Sequence, residues 1–277
     1  MNITNSSRFI DFIKTLNIGD TSVAEAEKTS CIVNTIQSII EKVQQVTEKL
    51  VKDSKITSSL DYIILGVISM LFVAVTVAPT SILGLLSVVA FSLMILKILF
   101  VKGEKPASSA FNVPIFLYIA IAGISVAFSS LLFPSIKGYL KMIIYFCSYF
   151  TFLNILKDKP KRIFYVLGLL AVTVSLEAFY AIYQNFTGIE ELASWQDTSN
   201  ANPEQLVNRV YGTLKPFNPN LLAGYLVAGF SSILGTACLC LTKKKFRLAV
   251  LSTVSTLAVL IAIVFTGSRG AYIAVSA

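Results

Sequence analysis

The 277-residue sequence contains no histidine. That removes the side chain most often used as a general base near neutral pH and the commonest metal ligand. Charge is sparse as well: 14% of residues are Asp, Glu, Lys or Arg, 55% are hydrophobic, and mean hydropathy is +0.74. Soluble domains carry about 25% charged residues, so this composition excludes an ordinary soluble domain and points to an integral membrane protein. There are four cysteines, Cys31, Cys147, Cys238 and Cys240, and three fall in apolar runs where a thiol acts as a small hydrophobe. Cys238 and Cys240, two apart on a helix, face different directions and make neither a redox nor a zinc motif. No disulfide, metal or cofactor is expected. The start of the chain lacks the basic, then apolar, then small-residue pattern of a cleavable signal peptide, so insertion is expected to use the first true span. No internal repeat is visible, which leaves the inverted repeats of many secondary transporters without support.

Long apolar runs are what the sequence has in abundance. A helix needs roughly 17 to 25 residues to cross the hydrocarbon, and seven runs qualify, near 62–78, 81–101, 111–133, 139–156, 163–183, 221–241 and 248–265. An eighth starts at Gly270, but its residues to Ala277 would rise only about 12 Å as a helix. The expectation is an all-α, polytopic transmembrane bundle of about seven spans plus the start of an eighth, C-terminally truncated relative to a longer protein. Residues 1–59 form a separate cytoplasmic region and residues 60–277 the transmembrane domain.

The net charge of +8 does not indicate nucleic acid, because of where it lies. Seven basic and seven acidic residues cancel within 1–59, while connectors 97–105, 157–162 and 243–247 hold eleven basic residues. By the positive-inside rule those connectors and the N-terminus are cytoplasmic, and the polar loop 184–217 lies outside. Within 1–59, Ile32, Ile36, Ile39, Val43, Val46 and Leu50 repeat at spacings of 4 and 3 and form one apolar stripe. It reads as an amphipathic helix lying on the membrane or the bundle, or as a short coiled coil.

Candidate functional residues collect near the outer face. Asn218 and Pro219 read as the cap and first residue of a helix, whose free N–H groups and positive dipole end would favour an anion. Asn220 follows, Arg209 and Lys215 lie just before, and Arg269 sits at the same face between Gly267 and Gly270. Arginine presents a planar fork of donors that matches phosphate oxygens, so these residues compose a candidate diphosphate cradle; Arg269 alone could equally snorkel to headgroups. Glu177, an acid about 9 Å inside the fifth span, is a functional candidate or a partner for Arg209 or Arg269. Trp195 fits an interfacial aromatic belt or a sugar-stacking role. Gly224 and Ala228 give a small face for close helix packing.

Two blocks, RVYGTLKPFNPNLLAGYL (209–226) and TGSRGAY (266–272), resemble the O-antigen ligase and polymerase superfamily of membrane glycosyltransferases. The similarity is greatest to a cyanobacterial branch often labelled bicarbonate or inorganic-carbon transporters. The resemblance implies ten to twelve spans, with Arg209 and Arg269 holding the diphosphate of an undecaprenyl-diphosphate-linked glycan donor. The glycan would pass to an acceptor of unknown identity on the outer side, without metal or nucleotide sugar. The family base is a histidine in a later outer loop; with none in this sequence, the chain is expected to bind a donor without turning it over.

Overall fold

The structure is a computed structural model that describes residues 30–51, 55–188 and 209–277. Among these the fold is all-helical, without strands. The helices are α1 (Cys31–Val51), α2 (Lys55–Val77), α3 (Thr80–Phe100), α4 (Asn112–Ala127), α5 (Leu132–Leu156), α6 (Pro160–Thr187), α7 (Pro219–Thr242), α8 (Phe246–Thr266) and α9 (Arg269–Ser276). Six of them, α2, α3 and α5 to α8, are long and apolar enough to cross a membrane. In hydrocarbon only a helix or a closed barrel satisfies its own backbone, so the apolar runs dictate the element type.

The third expected span, 111–133, is not one helix. It forms α4, 16 residues long and thus about 24 Å; the chain then breaks, and α5 begins at Leu132, seven residues before the expected start at 139. The cause is Pro134. Inside a continuous helix its ring would collide with the carbonyl four residues earlier, whereas in the first turn of a new helix it is tolerated. The break is stitched by Ser129, whose hydroxyl bonds Ser135 and accepts from the Leu131 N–H. Lys137 and Lys141 therefore ride on α5. α6 outruns its expected span 163–183 at both ends, opening with Pro160 at its first position and taking in Gln184.

The chain divides into two compact units, Met1–Val67 with Ser87–Lys159, and Ile68–Leu86 with Pro160–Ala277. In the first unit α4 and α5 form a hairpin, with Phe116 stacked on Phe150 at 5.4 Å between ring centroids. Lys97, at the end of α3, is only 6% exposed and lies 2.8 Å from both Asp61 and Glu104. α1 is present, and the face that packs on its unit is not the apolar stripe. Ile36, Ile39 and Val46 are exposed while Ile40 and Gln44 are buried; the side chains of Ile32 and Leu50 lie outside the described residues. The last carbonyls of α3 have no intrahelical donors, and Gln44 supplies one. Its Nε2 donates to the carbonyls of Ile98 (2.7 Å) and Glu104 (2.9 Å), and its Oε1 accepts from the Gly103 N–H at 3.1 Å.

In the second unit α6, α7 and α8 pack against one another, and α9 rests on α7 and α8. The core joins Val174 and Ala178 of α6, Leu222, Leu226 and Ile233 of α7, and Val259 and Ile263 of α8. The small-residue contact is not at Gly224 and Ala228, which are exposed, but at buried Gly229. A Cβ on Gly229 would lie 2.3 Å from Cγ2 of Val174, whereas one on Gly224 would meet nothing within 4 Å. Gly229→Ala should therefore destabilise the unit by about 1–3 kcal/mol through overpacking, read as a lower melting temperature in detergent. Gly224→Ala should leave the melting temperature equal or higher, since alanine is the better helix former.

Candidate functional site

The site is built on a polar pair carried by an apolar helix. Glu177 and Gln184 are seven residues apart on α6 and share one face, and both are buried, at 4% and 6% exposure. A side chain with acceptors in such a place requires donors, and the chain delivers backbone. Residues 209–217 do not run over the surface: Val210, Tyr211 and Leu214 are buried against the ends of the helices. The main chain there is irregular, so its N–H groups must be satisfied individually. Val210 N–H donates to the Phe265 carbonyl at 3.2 Å. Those of Tyr211 and Gly212 both donate to Gln184 Oε1, at 3.1 and 3.0 Å. That of Thr213 donates to Glu177 Oε2 at 3.2 Å, and the Thr213 hydroxyl contacts Glu177 Oε1 and the Thr76 carbonyl.

Gly212 is fixed by this arrangement. Its φ is +65°, and a Cβ there would fall 2.7 Å from Glu177 Oε2, so both conformation and space require glycine. Glu177 thus engages Thr213 rather than Arg209 or Arg269, and among the described residues it forms no ion pair. Tyr225 extends the polar cluster along α6, donating its hydroxyl to Thr173 at 2.7 Å.

Arg209 opens the inserted segment and lies on the turn between α8 and α9. Its Nε donates to the Thr266 carbonyl at 2.6 Å and its Nη2 to Asn220 Oδ1 at 2.9 Å. Gly267, at φ +62°, makes this approach possible, since a Cβ would lie 3.1 Å from Arg209 Nε. Gly270 has open space around it, so only the first of the two flanking glycines carries a packing role. Arg269 is the first residue of α9; it is exposed, and its guanidinium has no partner among the described residues. Ser268 holds the cap position of α9 in an extended conformation, yet its side chain caps nothing.

The start of α7 differs from the expected anion site in its donors. Asn218 caps the helix itself, accepting from the Asn220 N–H at 2.8 Å, and Pro219 has no N–H to offer. α7 therefore contributes its dipole end and Asn220, which orients Arg209. Lys215 is exposed and belongs to a different feature, a 510 Å³ cleft walled by Tyr180, Tyr183, Gln184, Tyr211 and Phe217. Trp195 lies outside the described residues. Gln184, Thr213 and Tyr211 had no place among the expected site residues; the seven-residue spacing of Glu177 and Gln184 on an otherwise apolar run was the available signal.

Comparison with protein-family models, curated proteins and solved structures finds no match for the chain. Gln184→Leu should strand two buried N–H groups, at about 1–3 kcal/mol each, and speed hydrogen exchange at residues 211–213. Glu177→Gln should leave exchange at Thr213 close to wild type, because an amide can still accept from the N–H and reach the hydroxyl. Glu177→Leu should not.

Proposed function

We propose that the second unit binds the diphosphate of a lipid-linked glycan at the outer face of an inner (plasma) membrane, as part of glycan transfer of the O-antigen ligase type. One juxtaposition carries the proposal: the guanidinium of Arg209 lies on the same turn that starts the uncapped helix α9 and presents Arg269 as its first residue. An uncapped helix start attracts anions through its free N–H groups and dipole. Two arginines beside it add charge-assisted, bidentate donors suited to phosphate oxygens. Asn220 holds the first arginine in place, and the family-like blocks 209–226 and 266–272 are the two segments that build this corner.

In this reading α4 counts as a short seventh crossing, the N-terminus and α1 lie in the cytoplasm, and the partners are the bilayer, an undecaprenyl-diphosphate-linked donor and a glycan acceptor. The alternative, passage of bicarbonate, calls for cationic groups near the middle of the bundle. The only buried Asp, Glu, Lys or Arg among the described residues of this unit is the acid Glu177, which disfavours an anion path. Photo-crosslinking with an undecaprenyl-diphosphate probe tests the proposal. Arg209→Ala and Arg269→Ala should each weaken labelling roughly tenfold or more, the size of a lost charged hydrogen bond, with Arg209→Lys intermediate. Labelling indifferent to both alanine variants would overturn it.

A further inference from the structure

Within the first unit, α1, the end of α3, the 101–111 connector and the facing ends of α4 and α5 enclose a cavity of about 430 Å³. Its walls are mainly apolar, with Ile40 of α1, Met94 and Ile98 of α3, and the stacked pair Phe116 and Phe150. The cavity lies at the ends of α3 and α5 that lead into the 101–111 connector and into Lys157 to Lys159. An apolar space at that level meets hydrocarbon on its inner side and headgroups on its outer side. α1 fits the same boundary: Gln44 ties it to α3, while Ile36, Ile39 and Val46 remain exposed for the bilayer, the disposition of an interfacial helix.

Among the buried and half-buried lysines described at this end of the first unit, Lys97, Lys157 and Lys159, one stands apart. Lys97 faces Asp61 and Glu104, Lys102 faces Glu48, Lys105 faces Glu41, and Lys159 faces Asp61. Lys157 has no carboxylate in ion-pair range among the described residues. Its ammonium donates to the carbonyl of Ser108, a residue of the cavity wall, and two of its three donors are left over. A half-buried cation with spare donors, bonded to the wall of an apolar cavity, matches a lipid with an anionic headgroup. We propose that this cavity seats one acyl chain of an anionic phospholipid, whose phosphate binds Lys157 at the rim. The site belongs to the first unit and does not depend on the diphosphate reading of the second.

The test places the photoreactive residue p-benzoylphenylalanine at Phe91, which is half-buried beside the cavity, and, as a control, at lipid-facing Ile121 of α4. The full chain is reconstituted in nanodiscs with equal phosphatidylglycerol and phosphatidylcholine, irradiated, and the adducts are weighed. Adducts at position 91 should favour phosphatidylglycerol over those at position 121 by roughly fivefold or more, as one partly desolvated charge pair provides. Lys157→Gln should erase that preference at 91 without changing labelling at 121, and Lys157→Arg should keep it. Any of four results overturns the proposal: no preference at 91, no lipid adduct at 91 while 121 is labelled, a cross-link from 91 to residues 1–29, or a cross-link to a second copy.

Discussion

Backbone that is neither helix nor barrel survives in an apolar bundle only where side chains complete its hydrogen bonds. In the second unit that requirement falls on Glu177 and Gln184. Together they accept from three successive N–H groups, of Tyr211, Gly212 and Thr213. Much else follows from those bonds. They seat Val210 and Leu214 in the core, bring Arg209 to the turn after α8, and leave Asn220 free to orient the guanidinium. The proposed anion site is thus held from beneath by groups that would never touch the ligand.

The first unit answers the same requirement with different residues. Gln44 meets carbonyls at the end of α3, and buried Lys97 is held between two carboxylates. A buried ammonium gains little net stability from such pairing, but the loss of one partner leaves an uncompensated charge. Asp61, Lys97 and Glu104 therefore act together to fix the start of α2, the end of α3 and the connector that α1 grips. α4 stands in contrast: none of its residues is buried, and it meets the rest of its unit chiefly through α5.

Much of the helical framework was legible because spanning length and apolar composition leave the backbone little choice. The errors came where a single residue outweighed the average. Pro134 divides a run that hydropathy treats as continuous. Gln184 reads as loop because it is polar, although its polarity is what a buried segment needs from the end of α6. For α1, the apolar stripe of Ile36, Ile39 and Val46 stays exposed, while the face that packs on the bundle was decided by unpaired carbonyls on another helix, which no local pattern displays. At the site, topology and motif brought Arg209, Asn220 and Arg269 to one end of the bundle. The partner of Glu177 lay 36 residues away in Thr213, beyond the reach of any helical periodicity.

The inserted segment also imposes an order of assembly. Residues 209–217 donate hydrogen bonds to side chains of α6, made before them, and to the Phe265 and Thr266 carbonyls at the end of α8, made well after. During synthesis, which proceeds from the N-terminus, Gln184 and Glu177 can receive the segment early. The bonds that close it from the other side must wait until α7 and α8 have both entered the membrane. The corner that presents Arg209 is therefore among the last parts of this unit to be completed, and it records whether the helices on either side have inserted in register.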